Sequence, residues 1–358
     1  MTAPVLPGTQ PPAPAAAPDR QIAGWLLACC TLVFLTVVVG GITRLTHSGL
    51  SIVEWQPVVG ALPPRSDAQW EQVFSLYRLT PQYRLVNPGM TLEQFKGIFW
   101  WEYIHRLLGR LIGFAFLLPL IWFSWRRRIE RPLMGQLAGL FALGGLQGAL
   151  GWYMVASGLV DDPRVSHYRL AAHLGLAVLI YGAMLWLALD LLFPRRGATA
   201  AQGKPALSLR RWSLALAALI FVAILSGGLV AGIRAGSAYH TFPLMNGHLL
   251  PPESFLIEPW YLNFFSNMAM VQFDHRLLAW LLAILAPWFW LKSRRIALPA
   301  RARLAVNLLP LLLLLQIALG IATLLLRVPL PLAAAHQAGA LLVFTAAVLA
   351  AHALRHGP

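Results

Sequence analysis

The sequence predicts an all-α integral membrane protein, with eight transmembrane helices forming two pseudo-symmetric four-helix bundles. Three observations lead there. The chain is 58% hydrophobic and 11% charged, a balance that would aggregate a water-soluble domain of 358 residues. Its apolar residues fall into uninterrupted runs of about twenty, enough to cross ~30 Å of hydrocarbon at ~1.5 Å per residue. Landmarks in the first four runs recur, in the same order, in the last four.

Residues 1–21, rich in Pro and Ala, are expected to be a disordered cytoplasmic tail, with Asp19 and Arg20 leading into the first run. That run is long and lacks a clear small-residue cleavage site, which argues against a cleaved signal peptide. The eight runs lie at about 22–43, 101–125, 133–155, 168–192, 212–233, 266–291, 302–326 and 331–354. Backbone polar groups must be satisfied inside lipid, so each run is a helix. Residues 22–192 then form one half and 212–354 the other, joined by a cytoplasmic linker at 193–211. Outside the membrane, 44–97 is the longest loop and 234–265 its shorter counterpart. The two cysteines, Cys29 and Cys30, are adjacent on the first helix, point apart and cannot form an ordinary disulfide; they read as small packing residues.

The net charge of +15 reports topology. Basic residues crowd into Arg126–Arg131, Arg195–Arg211 and Lys292–Arg303, the links after the second, fourth and sixth runs, while Asp161, Asp162, Glu253 and Glu258 lie in the intervening loops. The positive-inside rule places both termini and the basic links in the cytoplasm, as expected for a multi-pass protein of the cell inner membrane. Basic patches interleaved with aromatics are absent, so nucleic acid is not an expected partner.

The internal repeat is carried by four landmarks. Gly40-Gly41 near the end of helix one matches Gly227-Gly228 in helix five. Glu102-Tyr-Ile-His105-Arg106 matches Gln272-Phe-Asp-His275-Arg276. Leu146-Gln147-Gly-Ala-Leu-Gly151 matches Leu315-Gln316-Ile-Ala-Leu-Gly320, and Ala171-Ala172-His173 matches Ala334-Ala335-His336. With an even number of helices per half, both halves share one orientation about an axis along the membrane normal.

Ionisable side chains inside a membrane are costly and mark function. His105, His173, His275 and His336 lie one each on helices two, four, six and eight, all near the outer ends. Two imidazoles level in depth on two helices of one bundle suit the axial positions of a haem. Hydrogen bonding between helices is the plainer reading for any one of them; four, paired across a repeat, favour ligation. A small residue follows each by four positions (Gly109, Ala177, Ala279, Ala340), leaving a shallow surface beside each ring or simply aiding helix packing. Both pairs sit at one face, unlike the two-face arrangement of a transmembrane electron wire.

Glu102 breaks the symmetry, because its counterpart is Gln272. A buried carboxylate three residues before His105 can relay protons or stabilise developing positive charge; its plainer role is a local hydrogen bond at the interface. Arg106 and Arg276, with Arg44 and Arg169 at the outer boundary, are candidates to pair with haem propionates or to snorkel as helix anchors. His167 is expected at the interface and solvated. His47, His240 and His248 fall in loops, and His352 and His356 in the cytoplasmic tail.

These residues resemble the haem A synthase family. The resemblance is carried by Gly40-Gly-Ile-Thr-Arg44, Ser48-Gly-Leu-Ser-Ile-Val-Glu-Trp55, Glu102-Tyr-Ile-His105, Tyr168-Arg-Leu-Ala-Ala-His173, Thr241-Phe-Pro-Leu-Met-Asn246-Gly, Phe273-Asp-His275-Arg and the segment around His336. It spans about 22–354, and the outer loop without cysteines is similar to alphaproteobacterial and mitochondrial members. The resemblance implies oxidation of a methyl group of haem O to a formyl group, giving haem A for cytochrome oxidase. It implies a resident haem b on His275 and His336, and substrate haem O on His105 and His173 with Glu102 beside it. Implied partners are haem O, an unidentified electron donor, membrane lipid and, by function, a haem O synthase. Two other readings remain at this stage: a b-type cytochrome between a quinol and an outer-face partner, and a haem exporter without chemistry of its own.

Overall fold

The computed structural model describes residues 19–54, 62–159, 165–194 and 204–355. Most of the Pro/Ala tail, much of the linker, Trp55, Asp161, Asp162 and His356 lie outside them. Among the described residues the chain is helical throughout, apart from loops and one isolated bridge between Met245 and His248. Its helices are α1 (Arg20–Leu45), α2 (Asp67–Arg78), α3 (Pro81–Leu85), α4 (Leu92–Trp125), α5 (Arg131–Gly158), α6 (His167–Leu192), α7 (Lys204–Gly232), α8 (Asn263–Ser266), α9 (Met268–Ser293), α10 (Ala300–Leu325) and α11 (Leu330–Ala353). Eight of them, α1, α4–α7 and α9–α11, are long and apolar enough to cross a membrane. The chain is a multi-pass membrane protein.

Helix ends follow local chemistry. Asp19 caps α1 by accepting from the backbone of Gln21 and Ile22, so Arg20 and Gln21 are helical rather than part of the tail. The linker is likewise shorter than the sequence suggests, because α7 begins at Lys204. The largest difference is α4, which starts nine residues before the apolar run. Thr91 and Gln94 form a reciprocal capping box there, and Phe95 and Phe99 are buried against Trp70, Phe74 and Tyr77 of the outer loop. The described part of this segment, residues 62–91, therefore packs as a small aromatic cluster on the extended start of α4.

Helices α1, α6, α7 and α11 pack on one another in the middle of the protein, and α4, α5, α9 and α10 flank them. The double glycines set two of the central crossings. A Cβ on Gly41 would collide with the side chain of Gln337 on α11, and one on Gly228 would meet Leu174 and Ala171 of α6. Gln337 Nε2 also donates to the Val37 carbonyl at 2.7 Å. At the opposite end, His352 is fully buried in the last turn of α11 instead of lying in a solvated tail. Its Nε2 is 3.0 Å from Asp190 of α6, which also pairs with Arg355.

Candidate functional site

Each of the four intramembrane histidines rests on a glycine of the preceding membrane-spanning helix. A Cβ placed on Gly40 of α1 would lie 2.7 Å from His105 Cε1, and one on Gly151 of α5 would lie 2.9 Å from His173 Cε1. On Gly227 of α7 it would lie 3.2 Å from His275 Cε1, and on Gly320 of α10 it would lie 2.7 Å from His336 Cε1. Carbon atoms do not approach so closely without a shift, so any larger residue would push the ring out of place. In all four cases Cε1 is the nearest ring atom, so the imidazoles share one orientation toward their cradles. Helix two of each matched pair supplies the ring, and the helix before it supplies the floor.

The second pair is close and well held. The rings of His275 and His336 have centroids 6.4 Å apart and planes at 88°. An iron between two imidazoles, with metal–nitrogen bonds of about 2.0–2.1 Å and ~1.1 Å from each nitrogen to its ring centre, needs about 6.3 Å. These two residues fit a bis-His haem. Their remaining nitrogens have partners as well: His275 Nδ1 is 3.1 Å from Ser226 Oγ, and His336 Nδ1 is 3.2 Å from the Gln316 carbonyl oxygen.

The first pair is held differently. His105 Nδ1 and His173 Nδ1 are buried and meet no partner at hydrogen-bonding geometry. Gln147 donates to the His173 carbonyl at 3.0 Å, and its amide nitrogen is 3.3 Å from His173 Nε2. Gln316 donates to the His336 carbonyl at 2.8 Å but leaves that ring alone through its side chain. Among the described residues, no group of three or more His, Cys, Asp or Glu is arranged to hold a bare metal ion.

Glu102 is 2% exposed and fully committed. Its Oε2 accepts from Ser51 Oγ at 2.7 Å and the Ile52 backbone N–H at 2.8 Å. Its Oε1 accepts from Arg106 Nε at 3.0 Å and Nη2 at 2.6 Å. Arg106 in turn donates to the Ile52 carbonyl at 2.8 Å. The pair thus staples the loop after α1 onto α4. On the other side, Arg276 donates to the carbonyls of Pro243 at 3.2 Å and Leu244 at 3.4 Å, and Gln272 donates to the Tyr239 carbonyl at 3.2 Å. Both arginines hold loops by their carbonyls; Arg106 also bonds the Glu102 carboxylate, where Arg276 meets the Gln272 amide oxygen.

The other two arginines also have protein partners. Arg44 donates to the Gly232 carbonyl at 2.9 Å, closing the end of α7. Arg234 reciprocates with His47 Nδ1 at 3.1 Å. Burial, with Arg234 and Arg44 beside it, holds His47 below the usual imidazole range. Arg169 donates to the Tyr153 hydroxyl at 3.1 Å and stacks on that ring. His167, expected to be solvated, has Nε2 3.2 Å from Ser266 Oγ.

Comparison with known proteins identifies the family. The family model for COX15-CtaA, the cytochrome oxidase assembly proteins, matches residues 23–348. The chain is 63% identical to a haem A synthase of Nitrosospira multiformis over 94% of each chain. It is 58% identical to that of Nitrosomonas eutropha over 91% of this chain and 92% of the relative. With the Parvibaculum lavamentivorans enzyme it shares 51% over 94% of each. The chain belongs to the haem A synthase family.

The four histidines and Glu102 stood out in the sequence, whereas the glycine floors and the Nδ1 partners did not. The floors were already inside the matched landmarks, as Gly-Gly in helices one and five and as Gln-x-x-x-Gly in helices three and seven. A glycine that recurs in register with a recurring histidine was the available signal.

Proposed function

We propose that this protein is a haem A synthase, oxidising a methyl group of haem O to the formyl group of haem A. The observation that carries the site assignment is the perpendicular His275–His336 pair at 6.4 Å, on which the resident haem b would sit. Its chemistry there is one-electron transfer. His105 and His173 would hold the substrate haem O, whose isoprenoid tail suits a site at lipid depth. Each ring would be set by its glycine floor, and the Gln147 amide would have to leave His173 Nε2 before that nitrogen could bind iron. This reading makes the first pair an exchangeable site and the second a permanent one.

Glu102 acts in this reading as a fixed negative charge near His105 and as the anchor of residues 48–54. Its acceptor positions are occupied by Arg106, Ser51 and Ile52, which favours electrostatic and positioning roles over a free proton donor. Arg44, Arg106, Arg169 and Arg276 remain candidates for propionates in addition to their protein bonds. The landmarks and the packing support two four-helix bundles, 22–192 and 212–354, in the inner membrane with cytoplasmic termini. The partners in this proposal are haem O, an electron donor, lipid and, by function, the enzyme that makes haem O.

The test is expression in a host that makes haem O but no haem A, followed by extraction and mass analysis of the haems. Haem A or its hydroxylated precursor is expected. Stoichiometric haem B with untouched haem O, despite a suitable reductant, would overturn the proposal in favour of a b-type cytochrome.

A further inference from the structure

His105 and His275, matched by the repeat, differ in one side chain beside their glycine floors. Ser226 directly precedes Gly227, the floor under His275; Val39 directly precedes Gly40, the floor under His105. The Ser226 hydroxyl is 3.1 Å from His275 Nδ1, whereas Val39 has no polar side-chain atom. Backbone carbonyls of Ala223 and Thr36 lie near the two rings alike, so the hydroxyl is the difference between them. His336 obtains its Nδ1 partner from a backbone carbonyl, which leaves Ser226 as the one side chain by which the sequence can set this hydrogen bond.

We propose that Ser226 is the positioning residue that makes the second-half site a permanent one. This rests on the reading that His275 and His336 hold the resident haem. When Nε2 faces a metal, the proton sits on Nδ1 and is donated to Ser226 Oγ. That fixes the tautomer, holds the ring against rotation on Gly227 and raises the basicity of the ligating nitrogen. A more basic ligand favours the ferric state, so the hydroxyl both retains the haem and lowers its potential. The first half has Val39 at the matching position and so no hydroxyl for His105, as a site that must take up one haem and release another requires.

The experiment uses the full chain, purified in lipid nanodiscs with its resident haem. For Ser226→Ala, release of haem to apomyoglobin should be about tenfold faster, in line with other partners of metal-ligating histidines. The midpoint potential should rise, and Ser226→Thr should restore both values. Wild-type release and potential in Ser226→Ala would overturn the proposal. If Ser226→Ala loads no haem, apomyoglobin release from Ser226→Thr decides: wild-type retention supports the hydroxyl, and equal loss overturns it. His275→Ala and His105→Ala separate this from the underlying assignment. Loss of the low-spin haem spectrum in His105→Ala but not His275→Ala would overturn the site assignment itself, whereas the reverse leaves only Ser226 in question.

Discussion

The two histidine pairs share a scaffold and differ in what surrounds it. All four rings lie on glycines in one orientation, yet His275 and His336 have Nδ1 partners while His105 and His173 have none. The first site has a carboxylate, Glu102, locked to Arg106; the second has Gln272, whose amide meets a loop carbonyl. Preorganisation of a ligand set favours retention, and its absence favours exchange. In the proposed reading the same fold serves a cofactor on one side and a substrate on the other, with the difference written in a few polar contacts.

The strongest way to break this comparison is to fill the floors. Gly320→Val would force a methyl-bearing carbon against His336 and should reduce the resident haem to under about a tenth of its wild-type amount. Gly40→Val should leave that haem in place and abolish product. Pyridine haemochrome stoichiometry, paired with product analysis, reads both, and equal haem loss in the two variants would contradict the division of labour.

Next is the carboxylate. Glu102→Gln takes the carboxylate from a part-buried Arg106, and losing a hydrogen bond to a charged group removes about 1.5–3 kcal/mol. Product should fall at least a hundredfold and the melting temperature should drop, while the resident haem keeps its spectrum. Gln272→Glu puts a carboxylate beside Arg276 and should be tolerated, with no gain of activity at the second site.

The glutamines sharpen the comparison further. Loss of one neutral hydrogen bond amounts to about 1 kcal/mol. Gln316→Ala should therefore loosen the resident haem several-fold, measured by its release rate. Gln147→Ala should free His173 Nε2 and tighten the binding of added haem O, read by titration. Weaker haem O binding in Gln147→Ala would mean that the amide helps to hold the substrate.

The smallest effect is expected at the contact between His47, after α1, and Arg234, after α7. His47 has a lowered folded value, so its neutral form is favoured by the fold. Its stabilising contact with Arg234 is present above the unfolded value of about 6.5 and is lost as pH falls through the lowered one. His47→Asn keeps an acceptor without that proton site. Its melting temperature should fall less than wild type between about pH 7 and pH 5.

Much of this was legible in the chain itself. The eight spans came from run length, and the ends of α1, α5, α6, α9, α10 and α11 fall within three residues of the apolar runs, because lipid thickness and hydropathy act locally. The top of α4 was not legible, since its first turns are stabilised by aromatic residues on a separate, earlier helix, α2. Nor was the burial of His352, whose partner Asp190 lies on another helix. The four histidines stood out because charge in a membrane is conspicuous, whereas a glycine is not.

The sequence by itself determined that the protein has eight helices able to span a membrane, that its four histidines recur in register across the repeat, and that Glu102 has a glutamine, Gln272, as its counterpart. Hydropathy and residue type are properties of each segment alone, so they survive without coordinates. Only the tertiary structure decided that every histidine has a glycine floor, that Glu102 is tied to Arg106 and the loop, and that Ser226 reaches His275. Those depend on distances between helices far apart in the chain, and such distances exist only once the helices have packed.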